Sequence, residues 1–449
     1  MLPAPLLIES SNPPVTASRR VRAELALALG GFGIGTGEFV IMGLLPEVAA
    51  ECRSTVTGAA SAIGAYALGV VVGAPVIAVV AARCRRHALL GVLMAWFALG
   101  NLAAALATSL PWLVAARFAT GLPHGAYFGV AALVAASLVP PDRRARAVGR
   151  VMLGLTGATL VGVPIATGLG QWLGWRSAFA FVGAIGAAAC GLIALWVPRR
   201  PGDRAASPLR ELAAFGRPQV LLTLGVGSVG LGGLFCVFTY IAPTMTAVAG
   251  VPAAWMPAVL AVFGMGMIAG NLIGSKLADR ALMPTIAGAL LWNVAAMGIL
   301  PWTAPHPWLA LANVLLIGHG VALVPALQVR LMDVAGDAQT LAASLNHSAF
   351  NVANALGAWL GGVAIDAGLG WTATGPVGAG LAVAGLIILG GSVAVAARGS
   401  RRAGAGRPTP APATTSRPIA AWPSPWTVPR PVAACYPGAG GDSRRSPGI

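Results

Sequence analysis

The sequence predicts an all-α polytopic membrane protein whose twelve transmembrane helices form two pseudo-symmetric six-helix bundles. Three observations predict it: apolar residues gathered into blocks of membrane-spanning length, basic residues confined to alternate loops, and a repeat that maps the first half of the chain onto the second.

Of the 449 residues, 57% are hydrophobic and 9% charged, against about 25% charged in an average soluble domain. Blocks such as 89–108, 177–197 and 377–397 each have the roughly 20 residues that cross about 30 Å of hydrocarbon. The 60 glycines let helix backbones approach closely, as membrane packing prefers.

The first helix, 23–46, follows Arg19, Arg20 and Arg22. No short apolar core with a small-residue cleavage site precedes it, so it is expected to be retained, with 1–22 a cytoplasmic segment. The second, 57–82, ends at Arg83, Arg85 and Arg86; the third, 88–108, and the fourth, 112–138, adjoin at Pro111. Arg143, Arg144 and Arg146 mark the start of the fifth, 146–171, and Arg176 opens the sixth, 176–197, completing a bundle over 23–197. Residues 198–218, with proline and five arginines, read as a cytoplasmic central loop. The second bundle, 219–397, holds helices at 219–247, 254–277, 282–302, 308–332, 339–365 and 371–397, with Lys276 and Arg280 around the end of the eighth and Arg330 near the end of the tenth.

The intervening loops on the other side carry little beyond Glu47, Glu51, Arg53, Arg176 and Asp366. By the positive-inside rule the arginine-rich loops are cytoplasmic, so both termini should be cytoplasmic in an inner (plasma) membrane. The Pro/Arg-rich tail, 398–449, cannot bury enough apolar surface to fold and is expected to be disordered and cytoplasmic.

The net charge of +16 lies in short loops and tails rather than on one face or in a nucleic-acid motif, which excludes a nucleic-acid partner. Five cysteines, odd in number and without CxxC spacing, supply neither a disulfide framework nor a zinc site. Neither a metal nor a cofactor is expected.

Sliding the chain on itself by 197 residues aligns Pro46 with Pro243, Gly69 and Gly73 with Gly266 and Gly270, Arg83 with Arg280, and Gly121 with Gly318. With one residue dropped, Leu173-Gly174-Trp175 meets Leu369-Gly370-Trp371. Two parallel six-helix halves with a substrate path between them are a recurrent transporter architecture, in which one half rocks against the other.

Several stretches carry a family resemblance. Gly274-Ser275-Lys276-Leu277-Ala278-Asp279-Arg280 resembles the loop motif of the major facilitator superfamily, here in the second half; the first half has Ala82 opposite Asp279, which removes a charge-relay role from that loop. Arg117, with Gly121 and Gly125, resembles the helix 4 motif that the family links to proton coupling. Gly154, Gly157, Gly162, Pro164 and Gly168 resemble the helix 5 motif of its antiporters, with Val163 interrupting the usual Gly-Pro pair. Gly35-Thr36-Gly37-Glu38-Phe39 and Gly121-Leu122-Pro123-His124-Gly125 are similar to the twelve-helix drug:proton antiporters, among them the arabinose-efflux-permease-like and chloramphenicol-efflux-like exporters.

Of the 13 acids, Glu38 is placed deep in a span, about 15 residues or roughly 22 Å from the start of helix 1. A charge near the bilayer centre costs at least about 2.5–3.5 kcal/mol, so Glu38 should face a cavity or a partner. It could carry a proton or sense a cation in the cavity, or serve as a structural acid tied to another helix or lying near the outer interface. Arg117 keeps its proton; it could modulate Glu38 as a fixed charge, or snorkel to the outer surface. Ser344, His347, Asn351 and Asn354 share one face of helix 11 and could line a substrate cavity or hydrogen-bond between helices, at about 0.6 kcal/mol each. His124 could join a proton relay or the cavity wall, or be a hydrogen-bonded structural histidine. The helix 5 glycines are expected to pack tightly against the opposite half.

No Walker loop, HExxH, Ser-His frame or paired intramembrane aspartate is present, so neither ATP-driven transport nor an enzyme is expected. The leading expectation is a monomeric secondary transporter that exchanges protons for small amphipathic compounds or antibiotics by alternating access. Export of sugars or small metabolites is the alternative, and a non-transporting membrane sensor a more distant one.

Overall fold

The computed structural model describes residues 16–80, 84–140, 144–199, 216–335 and 339–405. Twelve helices among them are long and apolar enough to span a bilayer: α1 (Ala17–Gly43), α2 (Val56–Ile77), α3 (Arg86–Ala105), α4 (Leu110–Ser137), α5 (Ala147–Leu173), α6 (Trp175–Trp196), α7 (Pro218–Thr239), α8 (Ala253–Arg280), α9 (Leu282–Thr303), α10 (Pro307–Ala335), α11 (Leu345–Leu369) and α12 (Trp371–Arg398). No strand occurs among the described residues. Arg83, most of the central loop, the Ser344 side chain and the tail beyond Ala405 lie outside the described residues, so the expectations placed on them stand as stated.

The described residues up to Gly399 form one compact unit. Within this unit the most apolar stretch of α1 is the most buried of the twelve and that of α12 the least, so α1 lies near the centre and α12 at the periphery. The bundles meet where α2 packs on α11 and α5 on α8, two contacts that the repeat makes equivalent.

That repeat is physical. A Cβ on Gly69 or Gly73 of α2 would run into the carbonyl oxygens of Phe118 and Leu122 on α4. Their counterparts Gly266 and Gly270 on α8 face the carbonyl oxygens of Leu315 and His319 on α10 in the same way. Both crossings are backbone-on-backbone, so a missing side chain is the condition for them. The Leu-Gly-Trp match is explained as well: Gly174 (φ 87°) and Gly370 (φ 78°) turn the chain from α5 to α6 and from α11 to α12 in a left-handed conformation that glycine adopts without penalty.

One end of the molecule carries Arg85, Arg86, Lys276 and Arg280; the other carries exposed Trp112, Trp172, Trp255, Trp302 and Trp308 at helix tips. Tryptophans at that level form an interfacial belt. Among the described residues two hydrogen bonds cross between the bundles, both at this tryptophan-rich end: Thr57 Oγ1 donates to Asp366 Oδ1 (2.8 Å) and Gln171 Nε2 to the Ala253 carbonyl (2.8 Å).

The reading of Glu38 as the lone acid deep in a span needs correction. α1 begins at Ala17, two turns before Glu24, which is 5% exposed and ion-paired with Arg150 of α5 at 2.8 Å. The three arginines before residue 23 suggested a loop, yet nothing there breaks a helix, and long basic side chains reach the interface from within one.

Candidate functional site

Glu38 stands one residue before α1 changes character. The segment is α-helical through Phe39 and tightens into a 3₁₀ turn over Val40–Gly43. In such a turn each amide bonds three residues back instead of four, so at the switch two carbonyls share a single amide. Arg117 of α4, fully buried, takes them: Nη1 donates to the Gly37 carbonyl at 2.7 Å and Nη2 to the Glu38 carbonyl at 3.2 Å. The guanidinium therefore holds the backbone beside the acid rather than the carboxylate, and it does not snorkel. Glu38 itself is 1% exposed, and its Oε1 has no hydrogen-bond partner among the described residues.

The Arg117 guanidinium lies over the Tyr66 ring of α2, 4.2 Å from its centroid, a contact that desolvation strengthens. The Tyr66 hydroxyl is 3.0 Å from His124 Nδ1. The His124 ring in turn lies 6.3 Å from that of His347, on α11 in the other bundle, and Phe128 stacks on His347 at 5.2 Å. A continuous path of side chains thus runs from the backbone of Glu38 through Arg117, Tyr66 and His124 to the opposite bundle.

On α11, His347, Asn351 and Asn354 share a face as expected. Asn351 Nδ2 donates to the His347 carbonyl (3.1 Å), whereas both amide atoms of Asn354 are buried without a partner. Beyond Glu38, Phe39 packs on Phe235, Phe238 and Phe350, and Phe238 stacks on Phe263 at 4.0 Å. This cluster joins α1 to α7, α8 and α11. Asp279 and Arg280 end α8 at the surface, away from this centre.

The antiporter-like helix 5 glycines pack differently from expectation. A Cβ on Gly154 would meet the Ala28 carbonyl and one on Gly162 the Thr36 hydroxyl, both on α1 of the same bundle; Gly157 nears Phe32 of α1, and only Gly168 nears the opposite bundle, at Pro257. The close approach across the seam comes instead from Gly264 of α8, whose added Cβ would lie 2.7 Å from the Thr159 carbonyl. Thr159 sits in a π-helical turn, Ala158–Gly162, just ahead of Pro164. Proline lacks an amide proton and crowds the carbonyl four residues back, so the helix widens there.

Tyr66 and the phenylalanine cluster escaped the sequence reading. A tyrosine in a small-residue membrane helix is a usable signal, because its buried hydroxyl needs a partner. The phenylalanines are ordinary in an apolar sequence and reveal nothing until the helices are placed.

The Major Facilitator Superfamily family model matches residues 27–338. The chain is 41% identical over 368 residues to the inner membrane transport protein YdhP of Escherichia coli (strain K12), covering 81% of this chain and 94% of that protein. It is 36% identical over 342 residues to a chloramphenicol resistance protein of Streptomyces lividans, covering 74% and 86%. Its fold is similar to the crystal structure of a bacterial homolog of the human lysosomal transporter Spinster, in an inward-facing and occupied conformation, at a TM-score of 0.63 with 19% identity over 88% of this chain and 100% of that one. The twelve spans, the glycine crossings and these likenesses agree: the chain is a multi-pass membrane transporter of the Major Facilitator Superfamily, and not an enzyme.

Proposed function

We propose that the protein exports small amphipathic compounds, antibiotics among them, in exchange for protons by alternating access. The observation that carries this reading is Glu38, buried in α1 with an unpartnered carboxylate oxygen. A carboxyl group held out of water and free of a fixed partner is suited to exchanging a proton for a cation, or to changing conformation as it does so. Arg117 is the positioning residue, and the Tyr66–His124–His347 path links the acid to movement of the second bundle. The likeness to a chloramphenicol resistance protein supports the antibiotic class.

In inverted vesicles, wild-type accumulation of a substrate drug should collapse on addition of a protonophore. Glu38→Gln should lower gradient-driven accumulation at least about tenfold, roughly 1.4 kcal/mol, while downhill exchange continues. Full accumulation by the variant would remove Glu38 from the coupling step; accumulation indifferent to protonophore would remove proton exchange altogether.

A second reading, export of sugars or small metabolites, is favoured by the unpartnered Asn354 amide, which would hydrogen-bond a polar solute. Competition of neutral sugars against drug uptake, lost in Asn354→Leu, distinguishes it.

We place the arginine-rich end and both termini in the cytoplasm and treat the monomer as the working unit. Cys52 lies at the tryptophan-rich end, where burial and then the Glu51 carboxylate push its thiol up, partly offset by Arg176; Cys84 is exposed at the arginine-rich end. In single-cysteine variants, a membrane-impermeant maleimide should reach Cys52 in intact cells, slowly at neutral pH and up to about tenfold faster per pH unit as the thiolate fraction grows. Cys84 should react only after permeabilisation. The opposite pattern would invert the topology.

A further inference from the structure

A crevice of about 320 Å³ lies between α2 and α11 at the tryptophan-rich end, lined by Thr57, Ser61, Tyr240, Trp359, Val363 and Asp366, with alanines and glycines at its base. Its size falls in the usual range for small-ligand sites, about 300–1,000 Å³. It is not the central site: its residues do not include Glu38, Arg117 or the histidine pair. Ser61, Trp359, Val363 and Asp366 are exposed along its mouth, so it opens sideways from the seam between the bundles.

Its chemistry is graded along its length. Asp366 stands in the terminal turns of α11, Ile365–Leu369. The C-terminal end of a helix carries partial negative charge, so a carboxylate there is disfavoured for folding and adds to a field that attracts cations. No basic side chain pairs with Asp366 among the described residues; its Oδ1 accepts only from Thr57. Deeper along the axis, Val363 three residues and Trp359 seven residues from Asp366, about 5 and 10 Å, form an exposed apolar wall. The Tyr240 hydroxyl is already satisfied by the Ala358 carbonyl at 2.8 Å, which leaves its ring as lining. An anionic group at the interface, aromatic rings and an apolar trough below it complement a molecule with a positive head and a hydrocarbon tail.

The geometry points to a second binding site here for an amphipathic organic ammonium, with the charged head at Asp366 and the tail along Trp359 and Val363. Resting on the export reading above, the occupant is the transported cation on its way into or out of the outer leaflet. Because Asp366 is also the acceptor in one of the two hydrogen bonds that cross the seam, an ammonium bound there competes with Thr57. Occupancy and opening of this end are therefore coupled, and the coupling is reciprocal.

The test is equilibrium binding of radiolabelled hexyltrimethylammonium to the full-length protein in phosphatidylglycerol nanodiscs, in a Glu38→Gln background that removes the central carboxylate. Binding should persist there, fall about tenfold or more with Asp366→Asn and severalfold with Trp359→Ala, and tighten with Thr57→Val, which frees the carboxylate from its competitor. The neutral isostere with carbon in place of nitrogen should bind at least about tenfold more weakly. Undiminished binding in Asp366→Asn, or equal binding of the isostere, would reduce the crevice to an apolar gap. Loss of all binding in the Glu38→Gln background would leave the central site alone. Binding abolished by phosphatidylethanolamine would assign the crevice to a lipid amine and overturn the substrate assignment. Full gradient-driven accumulation by Glu38→Gln with these binding results intact would overturn the coupling role of Glu38 and leave the crevice standing, which separates the two proposals.

Discussion

Arg117→Ala is expected to remove about a hundredfold or more of gradient-driven transport, and to lower the thermal stability of the purified protein measurably. The variant takes the guanidinium donors away from the carbonyls of Gly37 and Glu38, two groups in a membrane interior for which the switch in helix type leaves a single amide. Each buried group stranded this way costs about 1–3 kcal/mol, and a hundredfold corresponds to about 2.7 kcal/mol. The 3₁₀ junction that carries Glu38 would relax toward another geometry, so the acid would lose its position without being touched. Arg117→Lys is the sharper test. Lysine keeps the charge but offers a compact ammonium in place of a planar fork, so it cannot both span two carbonyls and lie flat on Tyr66. It should recover part of the stability and little of the transport. Wild-type transport in Arg117→Lys would show that fixed charge, and not the held backbone, is what matters.

Gly121→Val is expected to prevent most of the chain from reaching its folded state. A Cβ at residue 121 would fall on the Tyr66 carbonyl oxygen, with the Tyr66 carbonyl carbon at 3.0 Å and the Val70 amide at 3.2 Å. These are backbone atoms, so no rotamer change relieves the clash and the two helices must move apart. Overpacking typically costs about 1–3 kcal/mol where side chains can adjust; here the cost should exceed that. The same displacement carries Tyr66 away from Arg117 and His124. Gly64→Ala is the control, because nothing lies within 4 Å of a Cβ there and alanine favours helix over glycine by about 1 kcal/mol. Fluorescence-detected size-exclusion chromatography after heating should show Gly121→Val lost and Gly64→Ala unchanged or improved. Equal behaviour would mean that the α2–α4 crossing tolerates separation.

Gly318 is the repeat partner of Gly121, and its added Cβ would strike the Phe263 carbonyl oxygen. That such pairs can be found by sliding the chain on itself shows how much of this architecture is written locally. A span needs only enough consecutive apolar residues, a left-handed turn needs glycine at Gly174 and Gly370, and the proposed sidedness rests on where the arginines fall. Each is a property of a short window, readable without knowing what the window packs against.

The sequence by itself thus determined twelve spans, their pairing into related halves, and a short list of polar residues too costly to bury without reason. Tertiary structure decided what those residues touch. It directed Arg117 to two carbonyls instead of a carboxylate, brought His124 beside His347 from the other bundle, turned Gly154 and Gly162 of α5 toward α1, and paired Glu24 with Arg150. The reason is geometric: which faces of two helices meet depends on their rotation and crossing. These are set by the packing of the whole bundle, and one apolar face looks much like another in sequence.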